Sequence, residues 1–405
     1  MSTIDVGADD DGKRRMIDEN VRVMGFEEYL ERVRRFTDEE LIPSEWEMAE
    51  RGAVPEDLVT RMGDLGLFGM TLPREHGGLG WSMEQQVLLT FEFTRASVVY
   101  RSRFSTTIGL TSQILLDHGT SGQQLYLPVM AGGDCVTAFA LTEDVAGSDA
   151  GALRTSAVRD GDGYVINGTK RYITNGAWAD LVVVFARTGT EADGALSAFL
   201  VPADAPGFSV RLPERMNGHE AGPVAELEFR DVHVGPDALI GAVEGRGLEF
   251  AMRGINHART HVAATAVGQA TRLLDEAARH ARERVQFGRP IGDLGAVQAW
   301  LGRSYAEIAA GRALVLDCAR AFDAGEIPRH QIAAAKYFCT EMASSVADRA
   351  VQILGGAGIV GDSPVPRMWR DVRALRIYEG ASEVHERNLA RHVLRACTAG
   401  AGVPA

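Results

Sequence analysis

The chain has 405 residues, 45% of them hydrophobic and 24% charged, and carries a formal net charge of −13. That length exceeds one typical core, so two or three domains are expected, and the acidic balance argues against a general grip on nucleic acid. No apolar run is long enough to span a bilayer, and Cys135, Cys318, Cys339 and Cys397 show no CxxC spacing, which fits a reduced, cytoplasmic protein with buried thiols.

Residues 1–20 are polar, contain Lys13-Arg14-Arg15 and lack the apolar core of a secretory signal; a disordered lead-in is expected there. From 21 to 135 the pattern is helical. Phe26, Tyr29, Leu30 and Val33 recur at helix spacing, Pro43 and Pro55 punctuate the run, and Leu72-Pro73-Arg74-Glu75-His76-Gly77-Gly78-Leu79-Gly80 reads as a loop. Between 136 and 241 the character changes to short β-branched and aromatic runs, such as Tyr164-Val165-Ile166 and Ala198-Phe199-Leu200-Val201. Asp160-Gly161-Asp162-Gly163 and Asn167-Gly168 are read as hairpin turns between them. Helical period returns from 242 to 405, with helices expected over 248–285, 297–324, 329–354 and 383–397. The first is expected to break near Gly268 and to stop near Gly288-Arg289-Pro290. The order is α, then β, then α.

Five stretches carry candidate chemistry. Phe139 to Ala150 runs from a strand into a small-residue loop whose N–H groups could approach a polar ligand; an ordinary loop is the alternative. In Lys170-Arg171-Tyr172-Ile173-Thr174-Asn175-Gly176, Tyr172 and Thr174 are two apart on a strand. They therefore share a face and suit a flat heteroaromatic ligand or, as commonly, a packing pair. Arg282 to Ile291 places guanidinium groups and an aromatic at a helix end, suited to a pyrophosphate or simply to the helix dipole. Gln352-Ile353-Leu354-Gly355-Gly356-Ala357-Gly358 ends a helix in a glycine turn that follows no strand, so it is not a Rossmann fingerprint. In Ile377-Tyr378-Glu379-Gly380-Ala381-Ser382, a carboxylate flanked by apolar groups is expected to have a raised pKa and to act as a proton acceptor near neutral pH. Gly380 would supply the turn and Ser382 the cap of the next helix. A solvated surface charge is the plain reading of one Glu on its own. No metal site is expected.

Together and in this order, these stretches resemble the acyl-CoA dehydrogenase family of flavoproteins, nearest to short- or medium-chain or glutaryl-type bacterial members. The resemblance covers about residues 25 to 394. It implies an α+β multidomain fold: an N-terminal helical domain, a middle β domain (antiparallel barrel or sandwich) and a C-terminal four-helix domain. It implies bound FAD and a homotetramer built as a pair of dimers. Phe139, Leu141, Thr142, Gly147 and Ser148 match the loop that contacts the flavin and its phosphates. Tyr172 and Thr174 match the pair beside the isoalloxazine. Arg284, Gln286 and Phe287, with Gln352, Gly355 and Gly356, match positions that reach the partner subunit's FAD. Gly380 and Ser382 also fall at cofactor positions. Glu379 matches the catalytic base, and Ala258 stands where other members carry that base, leaving Glu379 alone. Ser148, Asn256, Arg259, Tyr378 and Gly380 fall at substrate positions. Asp144, Ala381, Gly295 and Asn256 depart from the residues usual in the family, which puts individual contacts in doubt rather than the chemistry.

The implied reaction is α,β-dehydrogenation of an acyl-CoA thioester. Glu379 takes the α-proton, hydride passes from Cβ to flavin N5, and electrons go on to an electron-transfer flavoprotein. The alternatives are an acyl-CoA oxidase, a dehydrogenase of carrier-protein thioesters, or a non-catalytic flavin-binding protein. No nucleic-acid or membrane partner is expected. Val98-Val99-Tyr100-Arg101-Ser102-Arg103 also resembles the glutaryl-CoA dehydrogenase segment whose Arg meets a distal carboxylate, here Arg101. A structural or solvent-facing role for Arg101 and Arg103 is the preferred reading of that segment.

Overall fold

The computed structural model describes residues 17–189, 195–212, 216–222, 224–360 and 363–398. Of the expected lead-in, residues 1–16 lie outside the described residues. Residues 17–20 are built into the domain: Ile17 is buried and Glu19 opens a short helix, α1 (Glu19–Val23).

The N-terminal helices are α2 (Phe26–Phe36), α3 (Glu45–Arg51), α4 (Glu56–Asp64), α5 (Met83–Phe93), α6 (Val98–Thr106), α7 (Ser112–His118), α8 (Ser121–Gln124) and α9 (Leu127–Gly132). A π-helical turn, Thr107–Thr111, joins α6 to α7. Two starts are fixed by reciprocal caps, Ser82 with Gln85 and Thr120 with Gln123, each pairing two otherwise orphaned N–H groups.

The middle domain holds β1 (Thr137–Ala140), β2 (Ser156–Asp160), β3 (Gly163–Thr174), β4 (Leu181–Arg187), β5 (Leu196–Pro202), β6 (Phe208–Arg211) and β7 (Val224–Val234) in one sheet of order β1-β4-β2-β3-β7-β6, with β5 also on β4. The pairing is mostly antiparallel, but β1 runs parallel to β4 and β2 touches β4 through one parallel bridge. Gly161, with φ 62°, turns β2 into β3 as expected. Asn167-Gly168 does not turn the chain. It lies inside β3 at a register shift, where Gly168 approaches Thr155 so closely that a Cβ would sit 2.4 Å from its Oγ1, the close backbone approach that glycine permits inside a strand.

The C-terminal domain is built on α10 (Gly247–Glu283). A hairpin follows, β8 (Val285–Gln286) and β9 (Arg289–Pro290), and then α11 (Gly295–Asp323), α12 (Arg329–Leu354), α13 (Val365–Ala374) and α14 (Ser382–Thr398). The long helices α10, α11 and α12 pack on one another, with α13 and α14 against α12. Gly268 does not break α10: a Cβ there would lie 2.2 Å from Thr94 Oγ1 and 2.7 Å from the Phe91 carbonyl. Its glycine serves the approach of α5, whose neighbours hold the helix together. Nor does Gly288 end α10, which stops at Glu283; Phe287 and Gly288, with φ 51° and 77°, are the two central residues of the β8–β9 turn. Two left-handed residues in a two-residue hairpin loop are the chemistry of a type I′ turn. Helix α13 was not expected from the pattern. Cys135, Cys318 and Cys339 are buried as expected of free thiols, whereas Cys397 is exposed. No helix among the described residues is long and apolar enough to cross a membrane.

Candidate active site

The centre of the site is the seven-residue link between α13 and α14. Glu379 has φ 56° and Gly380 φ 101°. A left-handed backbone costs an L-residue about 1–2 kcal/mol, so Glu379 persists there only because its surroundings over-determine it. Two cations from two helices do so. Arg259 of α10 donates from Nε to the Glu379 carbonyl at 2.8 Å and from a terminal nitrogen to Asn256 Oδ1 at 3.0 Å. Lys336 of α12, fully buried, donates to the next carbonyl, Gly380 O, at 2.6 Å. His385 of α14 closes the far side, its ring so near that a Cβ on Gly380 would meet Nε2 at 3.0 Å.

The carboxyl of Glu379 is half-buried, and the protein around it is dense enough to set its acidity. Burial raises its pKa above the ordinary carboxylate value, while Arg259, Lys336 and Arg101 pull against that rise. Burial equally brings Lys336 down to about 8, against the upward pull of Glu379, and His385 to about 4, so the imidazole is neutral at pH 7. Among the described residues Arg101 of α6 has no hydrogen bond or ion pair. It is half-buried and faces Tyr378 and Glu379, so of the structural or solvent-facing roles preferred from the sequence, the solvent-facing one does not describe it. Arg103 is structural, lying 4.8 Å over the Trp178 ring and 3.7 Å from Glu56.

Tyr378 stands edge-on to His219, with ring centroids 6.3 Å apart. Ser382 does not serve as a free ligand hydroxyl. It is buried as the first residue of α14 and donates to Glu341 Oε1 at 2.5 Å, an oxygen that also accepts from Arg376. Asn256 is buried against Arg259, and Ala258 lies in the core.

A second face lies on the middle domain. Phe139, Leu141 and Thr142 are half-buried beside and beyond β1, and Gly147 and Ser148 are exposed. The loop is anchored from within: the buried Lys170 donates to Glu143 at 2.7 Å and to the Leu141 carbonyl at 3.2 Å, while Glu143 accepts from the N–H groups of Arg154 and Thr155. Asp144 pairs with Arg171. The alternation expected for Tyr172 and Thr174 is interrupted, because a register shift falls between Lys170 and Ile173 and Tyr172 has φ 59°. Buried Ile173 separates them, so both remain on the more open side, but the bulge, not the strand period, sets the direction of Tyr172.

A third group, Arg284, Gln286 and Phe287 on the β8–β9 hairpin with Gln352, Gly355 and Gly356 at the end of α12, is exposed. Tyr172, Phe287 and Glu379 are three of the seven non-glycine residues with left-handed backbone among the described residues, and such strain tends to gather at working positions.

Sequence reasoning missed Lys336, His385 and the Lys170–Glu143 pair. Lys336 is a charge inside the apolar run Ala333-Ala334-Ala335-Lys336-Tyr337-Phe338, the one signal that could have drawn notice, since buried charges are rare without a purpose or a partner, whereas His385, Lys170 and Glu143 stand among polar neighbours.

Family models for the acyl-CoA dehydrogenase N-terminal, middle and C-terminal domains match residues 26–134, 138–232 and 245–394. The chain is 37% identical to "Acryloyl-CoA reductase (NADH)" of Anaerotignum propionicum, over 89% of this chain and 92% of that one. A structure titled for the electron transferring flavoprotein of Acidaminococcus fermentans aligns with a TM-score of 0.87 at 34% identity, over 91% of this chain and 98% of that one. A glutaryl-CoA dehydrogenase from Mycobacterium smegmatis in complex with FADH2 aligns with a TM-score of 0.86 at 29% identity, over 92% and 96% of the two chains.

Proposed function

Because the chain belongs to the acyl-CoA dehydrogenase family of oxidoreductases, we propose that it removes the α and β hydrogens of an acyl-CoA thioester, with Glu379 as the base and FAD as the redox cofactor. The observation that carries this reading is the placement of Glu379. It is a carboxyl of raised pKa on a strained turn, gripped through its own carbonyl and the next by Arg259 and Lys336. Such a group holds a fixed direction and is a stronger base than a solvated carboxylate.

The residues present fit FAD. The hydroxyls of Thr142, Ser148 and Thr174 have no hydrogen-bond partner among the described residues. Nothing lies within 4 Å of where a Cβ on Gly147 would be, and Asn175 Nδ2 is a buried donor without an acceptor. Phe139, Leu141, Thr142, Gly147, Ser148, Tyr172 and Thr174 would hold the cofactor from this chain. Arg284, Gln286, Phe287, Gln352, Gly355 and Gly356 would hold that of a partner subunit in a homotetramer. When bound, FAD supplies a hydride acceptor.

The protein's own share of the chemistry is the α-proton and the charge that follows its loss. Glu379 removes the proton. The Glu379 N–H donates to no described residue, so it is available to the thioester oxygen as that oxygen gains negative charge. Asn256, Arg259, Tyr378 and Ser148 border the substrate in this reading. An electron-transfer flavoprotein takes the electrons onward, a cytoplasmic location suits that exchange, and the domains divide near 21–135, 136–241 and 242–405.

Arg101 favours a second reading of the substrate. A half-buried, unpaired guanidinium facing Glu379 suits an acyl chain ending in a carboxylate. The test of the main reading is an anaerobic visible titration of the FAD-loaded protein with a panel of acyl-CoAs, wild type beside Glu379→Gln. Bleaching of the flavin band by one class of thioester, in wild type alone, is the expected result. Equal bleaching in Glu379→Gln removes Glu379 from the role of base.

A further inference from the structure

We propose that Lys336 is a positioning residue for Glu379: its ammonium, bonded to the Gly380 carbonyl, locks the left-handed turn and holds the carboxyl in its ionised form. The inference rests on the reading of Glu379 as the base and assigns that base its support. Three observations carry it. Lys336 is completely buried in the middle of α12, yet no carboxylate accepts its proton; its one hydrogen bond among the described residues goes to Gly380 O at 2.6 Å. Gly380 directly follows the strained Glu379, and the preceding carbonyl is taken by Arg259, so two successive peptide planes are each pinned by a cation from a different helix. Finally, Glu341 on the same helix is occupied by Arg376 and Ser382, and Glu379 is the stronger of the two anions in whose field Lys336 stands.

A lysine suits this place better than a neutral donor would. A buried charge is tolerated only where it is compensated, and a carbonyl dipole plus a nearby carboxylate compensate this one. The same arrangement acts in reverse on Glu379. The groups facing that carboxyl are Arg259 from α10, Lys336 from α12, Arg101 from α6 and Tyr378 from its own turn, with His385 of α14 set against the backbone of Glu379 and Gly380. Burial pushes the carboxyl pKa up, and Lys336 is the second strongest of the three cations opposing that rise. Burial also brings the ammonium to about 8, with Glu379 and Glu341 holding it up and Arg259 and Arg376 pressing it down, so Lys336 is charged at neutral pH. Removing it takes away a positive charge and raises the Glu379 pKa further. The base then ionises only at higher pH.

The experiment reads the carboxyl directly. Infrared difference titration of the FAD-loaded protein follows the protonated-carboxyl band that Glu379→Gln abolishes. In Lys336→Met its midpoint moves upward by about one pH unit. In Lys336→Arg, which keeps the charge, it stays near the wild-type value. Turnover should agree: kcat in Lys336→Met falls about ten- to a hundredfold, as for a misplaced reacting group, with KM little changed and its acidic limb displaced upward with the band. Should Lys336→Met not fold, Lys336→Gln keeps a donor and drops the charge, and the same shift is expected. A midpoint unmoved in the uncharged variants overturns the proposal. Turnover that survives in Glu379→Gln overturns the base assignment instead, and leaves the titration of Glu379 by Lys336 standing as measured.

Discussion

A guanidinium that has lost part of its water and found no carboxylate is costly to keep, and Arg101 is one. Burial lowers its pKa to about 10, while Tyr378 and Glu379 support the charge. Its neighbour Arg103, two residues on, is spent on Trp178 and Glu56, so the contrast lies within one turn of one helix. If the substrate ends in a carboxylate, Arg101 meets it with charge-assisted hydrogen bonds worth about 1.5–3 kcal/mol. Arg101→Ala should then lower kcat/KM for a dicarboxylyl-CoA about ten- to a hundredfold more than for a monocarboxylyl-CoA of equal length. A ratio that stays the same in the variant removes the distal-carboxylate reading and leaves Arg101 as an electrostatic neighbour of Glu379. The sequence drew notice to this segment but not to the direction of the side chain. Spacing on a helix tells which residues share a face, not what stands opposite.

At the scale of elements, the glycines separate what a pattern can reveal from what it cannot. The sequence could say where helices run: 329–354 was expected, and α12 occupies Arg329–Leu354. It could not say why a glycine sits inside one. Gly268 looked like a break and is instead a contact, because the atoms it makes room for, Thr94 Oγ1 and the Phe91 carbonyl, lie on a helix far away in sequence. Asn167-Gly168 looked like a turn and is a bulge for the same reason, its neighbour Thr155 standing just before β2. Helix α13 escaped notice because it is short and starts beside Pro364 and Pro366, residues that also mark loops. Lys336 escaped because its acceptor is the carbonyl of Gly380, a backbone atom with no signature in sequence. The strand pair Tyr172 and Thr174 was legible as a candidate and not as geometry, since the bulge that sets Tyr172 depends on its pairing with β7. The two kinds of helical glycine give opposite expectations. In Gly268→Ala the new Cβ meets backbone, and the overpacking cost of about 1–3 kcal/mol outweighs a helix-propensity gain of about 1 kcal/mol. In Gly302→Ala, inside α11 with nothing within 4 Å, the gain acts alone at about 0.4–1 kcal/mol. Chemical denaturation should place the two variants on opposite sides of wild type. If Gly268→Ala matches wild type, α5 and α10 are free to move apart.

For the molecule as a whole, the question is why a folded chain displays Phe287 at 91% exposure. The residue is held out by rigid means. It sits in a two-residue turn with left-handed backbone, φ 51°, between strands β8 and β9, a conformation a bulky residue adopts only under constraint. Nothing in the chain's own core repays that constraint. A second copy would, and the exposed Arg284 and Gln286 on the same hairpin, with Gln352, Gly355 and Gly356 at the end of α12, give the polar groups a phosphate-bearing cofactor needs. The proposed assembly therefore makes a separable prediction. Phe287→Ser removes no buried contact, so the apoprotein should unfold within about 0.5 kcal/mol of wild type. FAD binds the folded state and stabilises it by mass action, so the melting temperature of wild type should climb as FAD is added. In the variant that climb should demand at least about tenfold more FAD, the loss expected for one aromatic contact of about 1.4 kcal/mol. Sedimentation of the two proteins at equal concentration shows whether the subunits still meet. A variant that holds FAD as tightly as wild type, in an assembly of the same size, would mean that the hairpin is displayed for some other surface.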